Sequence, residues 1–250
     1  MFMKERHDLI VQEVNENGRV TVTDLAERFG VSEDSIRRDL GILADQGLLE
    51  RVYGGAVSAQ SLPDRNIAKR TESTSEKHAI AAKAYEQIED GSTIYLDVST
   101  TVLALAELIG AGNKRLTAVT NSLDILHALA QNPLVSAIGT GGNLHALQNA
   151  FVGSATLQML ENYLFDQVFI GAAGVNLNDG GVTTFEADDG IIKSCVIKHS
   201  KTSYLLFDQQ KLRRNGAYRF ADVSEVNYVV CDGLSEKARK VLEGEGVDCL

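Results

Sequence analysis

The stretch VSEDSIRRDLGILADQGLLERVYGGAV, residues 31–57, sets two adjacent arginines, Arg37 and Arg38, into a run with helical apolar spacing. Ile36, Leu40 and Leu43 fall at i, i+4 and i+7 and form one core-facing stripe. At about 100° per residue, Arg38 then points nearly opposite Ile36, with Arg37 on the flank. Guanidinium groups displayed opposite a core stripe suit bidentate contacts to guanine edges and to phosphates. Ser32 is the N-cap candidate, with Ser35 in the first turn and the acids Glu33 and Asp34 at the positive end of the helix dipole. After Gly47, LLERVYGGAV has the content of a two-stranded wing, which carries Arg51 and Tyr53. A solvated arginine pair is the alternative.

A second group of residues lies where apolar runs stop. DVSTT (Asp97, Val98, Ser99, Thr100, Thr101) follows STIYL, TNS (Thr120, Asn121, Ser122) follows LTAV, and GTGGN (Gly139 to Asn143) follows VSAI. Hydroxyls and free backbone amides at a helix start favour an anion such as phosphate, and Gly141 and Gly142 let backbone approach a ligand. Singly, each segment reads as a cap or a turn. Together at one sheet edge they point to a small phosphorylated or polyhydroxyl ligand, with Lys211 as a counter-charge. Glu186, Asp188 and Asp189 are alternatives as a general base or as dipole partners opening a helix.

The elements that must position these groups change character along the chain. Residues 1–57 read as three short helices and a wing: helix one from Lys4 to Asn15, a second helix DLAERF capped by Thr23 and ended by Gly30, and the arginine-bearing third. Residues 58–75 read as an exposed linker. From 76 to 250, helices alternate with apolar strands, including VGSATLQMLENYL as a helix, which implies a mainly parallel α/β domain.

Composition bounds the function. The 250 residues carry a formal charge of −10, and residues 1–57 hold seven Lys or Arg against eleven Asp or Glu, formally −4, so any DNA-binding face must be local. No apolar run reaches spanning length and MFMKERHDLI is charged where a secretory signal is apolar, so a cytoplasmic, membrane-free protein is expected. Cys195, Cys231 and Cys249 are too widely spaced for a disulfide framework, the five histidines lack metal-ligand spacing and read as mostly surface residues, and IGAAGVN is no dinucleotide fingerprint. No cofactor, metal or catalytic residue is expected.

The order of RHDLI, VTVTDLAERFGVSEDSIRRDLGILADQGLLERVYGGAV, EKHAIA, TNSLDIL, GTGGNLH, VGSAT, FDQVFIGAAGV and FDQQK resembles the DeoR family of bacterial transcriptional repressors over essentially the whole chain. The resemblance implies a winged helix that binds operator DNA. It also implies a C-terminal domain resembling ribose-5-phosphate isomerase that senses a phosphorylated sugar, in a dimer or tetramer controlling a sugar-catabolic operon. It assigns DNA contact to Ser32, Ser35, Arg37, Arg38, Arg51 and Tyr53, and effector contact to Asp97, Ser99, Thr100, Thr101, Asn121, Gly141, Gly142 and Lys211. The chain departs from the family pattern at Ser35, Tyr53, Ser99 and Gln210. Two other readings are a sugar-phosphate isomerase with a fused regulatory winged helix, and an α/β domain that only pairs the winged helices.

Overall fold

The computed structural model describes residues 3–17, 19–45, 48–52, 54–58 and 75–250, in two compact units, Met1–Asn66 and Ile67–Leu250. The expected linker falls largely outside the described residues, as does Tyr53.

The first unit runs α1 (Met3–Asn17), β1 (Arg19–Thr21), α2 (Val22–Phe29), α3 (Glu33–Asp45), β2 (Leu49–Val52) and β3 (Gly55–Ser58), with the strands ordered β1-β3-β2 and both pairings antiparallel. It is a winged helix. Ile10, Val14, Leu25, Ile36, Leu40 and Leu43 close its core, each burial contributing about 1.5–3 kcal/mol. A Cβ on Gly55 would lie 2.0 Å from the Val20 carbonyl oxygen, so only glycine lets β3 approach β1 this closely. Gly30 ends α2 at φ 65°, donating to the Ala26 and Glu27 carbonyls. The N-cap of α2 is Thr21, whose hydroxyl accepts from the Asp24 amide at 3.1 Å. Thr23, expected in that role, already lies within the helix and donates to Glu33. Thr21 wins because it keeps extended backbone as the last residue of β1.

A buried ionic clamp locks α1 to α3. Asp39 is 3% exposed and accepts from Arg6 Nε at 2.7 Å and Arg6 Nη2 at 3.2 Å, while His7 Nε2 lies 3.0 Å from one of the same carboxylate oxygens. His7 is therefore buried, against the expectation of a surface histidine. Burial opposes ionisation of Asp39, but the hydrogen bonds from Arg6 and His7 and the Arg6 charge outweigh it and bring the carboxyl below its usual range.

In the second unit, α4 (Ser75–Gln87) leads into β4 (Thr93–Leu96), α5 (Thr100–Ala111), β5 (Leu116–Thr120), α6 (Leu123–Leu129) and β6 (Val135–Gly139). A hairpin of β7 (Asn143–His145) and β8 (Ala150–Val152) precedes α7 (Ser154–Leu160) and β9 (Phe165–Gly171). Then come β10 (Gly174–Val175), β11 (Gly181–Thr184), α8 (Ala187–Lys198), β12 (Ser200–Leu206), a 3-10 turn at Gln209–Arg213, β13 (Tyr218–Asp222), β14 (Tyr228–Val230), α9 (Glu236–Gly244) and β15 (Asp248–Cys249). The seven-stranded sheet has the order β15-β14-β12-β9-β4-β5-β6 with every pairing parallel.

Alternation along the strands feeds two cores. Tyr95, Val119, Val168, Ile170 and Leu205 face one layer, and Ile94, Leu96, Ala118, Phe169 and Tyr204 the other, so the strands read as continuous apolar runs. VGSATLQMLENYL is not one helix: Val152 closes β8 and the helix spans only Ser154–Leu160. A small antiparallel sheet, β10-β11-β13, completes the unit.

Asp39→Asn should destabilise the winged helix by about 3–5 kcal/mol at neutral pH, because it leaves the Arg6 charge buried without a counter-charge. The carboxyl is depressed in the folded state, so its contribution is present above its unfolded value near 4 and fades as pH falls through the lower folded value. Urea unfolding of both proteins should show the gap closing below about pH 4.

Candidate functional site

On the winged helix, Ser32 caps α3: its hydroxyl accepts from the Ser35 amide at 3.3 Å, and its carbonyl from Ser35 and Ile36. The two arginines differ. Arg37 is held by acids of its own helix, Nη2 to Glu33 at 2.6 Å and Nη1 to Asp34 at 2.9 Å. Arg38 is exposed and, among the described residues, makes no ion pair, and the same holds for Arg51 on β2. A Cβ on Gly41 would lie 3.8 Å from Arg51 Nη1, so the wing arginine spreads over the bare backbone of α3. Gly41 is three residues beyond Arg38, on the same face, and the two arginines therefore share it. The sequence offered both arginines equally, because the dipole role of Glu33 and Asp34 concealed their second use as partners of Arg37.

In the α/β unit, the chain leaves β4 towards β5 and β6 on one side and returns as β9 on the other. The carboxyl ends of β4 and β9 are therefore the topological switch point, where an open α/β sheet forms its ligand crevice. Asp97, directly after β4, is fully buried and accepts from the Gly171 amide at 2.9 Å. Ser99 caps α5, accepting from Val102 at 3.1 Å. Its side chain lies against Gly171, where any Cβ would come within 2.5 Å of it. Thr100 opens the helix half-exposed and Thr101 is buried.

The row Leu96–Thr120–Gly139 is in register across β4, β5 and β6, which places Asp97, Asn121 and Thr140 side by side, one residue beyond the strands. Asn121 is a brace: its Oδ1 accepts from the Tyr95 hydroxyl at 2.7 Å and its Nδ2 donates to the Phe151 carbonyl at 2.9 Å. Burial pushes the Tyr95 hydroxyl well above its ordinary value, so it remains a donor. Gly141 and Gly142 have φ of 63° and 119°. The Gly141 carbonyl accepts from Thr156 at 2.8 Å, and a Cβ on Gly142 would lie 2.3 Å from the same hydroxyl. Lys211 is half-buried in the 3-10 turn after β12, two strands from β4 in the sheet.

Sequence reasoning missed the residue that organises the edge. Lys193 of α8 is 2% exposed; its Nζ pairs with Asp97 Oδ2 and lies 3.5 Å from Asp189 Oδ2, which accepts from Thr184 at 2.6 Å. Burial drives the Asp189 carboxyl up to about 6 against the opposing pull of Lys193, and the Asp97 charge adds to the rise. Burial disfavours the Lys193 ammonium, yet the two carboxylates hold its value above the ordinary one. The i, i+4 spacing of Asp189 and Lys193 was the available signal. Glu186 and Asp188, the other carboxylates opening α8, are exposed. Two buried oxygens at this edge, Asp97 Oδ1 and Thr140 Oγ1, have no hydrogen-bond partner. Their residues follow β4 and β6, with β5 between them, and an unpartnered buried acceptor is a place for a ligand's donor. Among the described residues no cluster of three or more His, Cys, Asp or Glu side chains is disposed to hold a metal ion, and no helix is long and apolar enough to cross a membrane.

A winged helix joined to a parallel α/β domain with a polar switch-point edge defines a two-domain regulator architecture. Comparison with known proteins gives the family: residues 6–62 match the DeoR-like helix-turn-helix domain and residues 72–233 the DeoR C-terminal sensor domain. The chain belongs to the DeoR family. It is 33% identical to the glycerol-3-phosphate regulon repressor of Escherichia coli (strain K12) over 238 residues, 93% of this chain and 92% of that protein. It is also 33% identical to a lactose phosphotransferase system repressor of Staphylococcus epidermidis over 243 residues, 95% of each. A ribose 5-phosphate isomerase A from Methanocaldococcus jannaschii aligns at 16% identity with a TM-score of 0.40, covering 54% of this chain and 52% of its own.

The raised Asp189 carboxyl has a readable consequence. The folded protein retains a proton there between about pH 4, the unfolded value, and about 6, so stability falls as pH rises through that window. Asp189→Asn, which keeps an acceptor for Thr184, should flatten this segment of a stability-against-pH curve measured by urea unfolding.

Proposed function

We propose that the chain is a repressor of a sugar-catabolic operon, acting in the cytoplasm as a homo-oligomer, which a phosphorylated sugar releases from its operator. The observation that carries the ligand half is the row of Asp97, Asn121 and Thr140 at the switch point, with two buried oxygens awaiting donors. Sugar hydroxyls supply such donors, and the capped start of α5 together with the Gly141–Gly142 backbone receives the phosphate. The names of the relatives, regulon repressors of glycerol 3-phosphate and of a lactose phosphotransferase system, support the same class.

For the DNA half, Arg38 and Arg51 are the cations available for guanine edges and phosphates, with Ser32 and Ser35 at the start of α3 for backbone phosphates. Arg37 spends its charge largely on Glu33 and Asp34. Release follows from linkage: a ligand that binds more tightly to an arrangement whose paired winged helices do not fit two half-sites lowers operator affinity by its differential affinity.

An enzymatic second reading rests on one observation, the Asp189 carboxyl near pH 6 beside Lys193, which is the tuning an acid–base catalyst uses. Turnover of a panel of aldose and ketose phosphates decides it.

The repressor reading is tested by fluorescence anisotropy on DNA from upstream of the gene, at fixed salt and with scrambled competitor. Arg38→Ala should weaken specific binding by about 1–3 kcal/mol, Arg37→Ala by less, and one class of sugar phosphate should weaken the wild-type complex. Thr140→Val should leave stability little changed, because the lost hydroxyl bonds no protein group. It should nonetheless weaken the sugar phosphate by about 1–2 kcal/mol in a thermal-shift titration. No specific binding on that DNA or on a random library, with or without ligand, would sink the reading.

A further inference from the structure

Among the described residues of the α/β unit, three buried side-chain polar atoms have no hydrogen-bond partner, and all three border the end of β5: Asp97 Oδ1, Thr140 Oγ1 and His145 Nδ1. Asp97 and Thr140 follow Leu96 and Gly139, the residues that flank Thr120 in register. His145 closes β7 and pairs with Ala150, which bridges in turn to Ser122. Orphaned buried groups are rare in folded proteins, and three around one strand end mark a common occupant.

The hairpin that carries His145 is firmly held. Its turn is closed by bonds from the Gln148 and Asn149 amides to the His145 and Ala146 carbonyls, at 3.1 and 3.4 Å. Asn149 takes φ 50°, in the left-handed region that residues other than glycine rarely adopt. It is kept there from two sides: its side chain donates to Asp124 Oδ1 at 2.6 Å, and its carbonyl accepts from the Leu123 amide at 3.0 Å. The strands are bonded through Phe151 to Asn121. A plain connection from β6 to α7 requires none of this, and backbone over-determined in this way is characteristic of segments that clamp a ligand.

We propose that the hairpin is a wall of the ligand crevice and that His145 reads a hydroxyl of the sugar through Nδ1, so that it helps to set which sugar phosphate is bound. The inference rests on the sugar-phosphate reading and narrows it. Chemistry selects the hydroxyl over the phosphate. The Asp97 carboxylate accepts, while a threonine hydroxyl and an imidazole nitrogen each serve as donor or acceptor. Such a set matches groups that both donate and accept, as sugar hydroxyls do. A phosphate is chiefly an acceptor, which the Asp97 charge repels and which free backbone amides serve better. A sugar lacking the matching hydroxyl leaves a buried polar atom unpaired, and one such atom discriminates strongly between ligands.

Isothermal titration calorimetry of the full chain with a panel of three- to six-carbon aldose, ketose and alditol phosphates tests this. His145→Phe keeps a ring and removes both nitrogens; His145→Asn keeps a polar atom near the place of Nδ1. For the ligand of the panel that the wild type binds most tightly, His145→Phe should raise Kd about 10-fold or more, and His145→Asn by much less. Among the monodeoxy analogues of that ligand, one should bind the wild type as weakly as the parent sugar binds His145→Phe, and it should lose nothing more in the variant. Urea unfolding of each variant guards against misfolding, and His145→Ala, free of any clash from an apolar ring, should repeat the cycle. Equal affinity of wild type and His145→Phe, or a variant that weakens every deoxy analogue as much as the parent sugar, would overturn the proposal and leave the sugar-phosphate reading standing. A wild type that binds no member of the panel overturns both.

Discussion

The α/β unit is built around one ammonium group held away from water between two carboxylates. Lys193 comes from α8, Asp97 from the end of β4, and Asp189 from one turn earlier on α8. Removing three ionisable groups from water is expensive, and the mutual attraction offsets it only if the remaining polar atoms also find partners. Here most do: the Gly171 amide and the Thr184 hydroxyl each serve one carboxylate. The exception is Asp97 Oδ1. Asp189 absorbs the excess negative charge of the trio by holding its proton up to about pH 6. The same trio fastens α8, and through Thr184 the small antiparallel sheet, to the centre of the main sheet.

The winged helix uses an ionic clamp for a different end. Arg6 and His7 share the two oxygens of Asp39, so the cluster has no unanswered acceptor of its own and offers nothing to a ligand. Its effect is geometric. Asp39 directly follows Arg38, and fixing it against α1 sets the rotation of α3 about its axis, which decides where Arg38 points. Apolar contacts at Ile36, Leu40 and Leu43 resist sliding less specifically than a bidentate guanidinium–carboxylate pair does.

Much of this was legible in the sequence because it follows from period and punctuation. The stripe Ile36, Leu40, Leu43, the stop at Gly30 and the alternation of helices with apolar strands are local facts about the chain. The helix cap at Thr21 was misplaced by two residues because both threonines can cap, and the choice depends on β1 pairing with β3. The β7–β8 hairpin was invisible for a related reason. Its strands are three residues each, and they exist because Asn121, just beyond β5, bonds Phe151 and Asn149 bonds the start of α6. Lys193 was illegible at the decisive level: a lysine in a helix is ordinarily solvated, and only the packing of α8 against β9 and β12 brings it to Asp97 as its counter-charge. The strand-end residues were nameable, whereas their division into braces such as Asn121 and unpartnered groups such as Thr140 needed the register.

An acidic module that binds DNA requires its charge to be organised. Formally the first 57 residues are −4, yet the acids are not free to repel a phosphate backbone equally. Asp39 is buried against Arg6, Glu33 and Asp34 are engaged with Arg37, and Glu13 pairs with Arg28. These pairings hold four acids against basic partners within the module, while Arg38 and Arg51 share one face over the bare backbone at Gly41. Such a face supplies few phosphate contacts, so a single copy gains little non-specific affinity. If two copies engage two half-sites together, any change that alters their pairing weakens both half-site contacts at once.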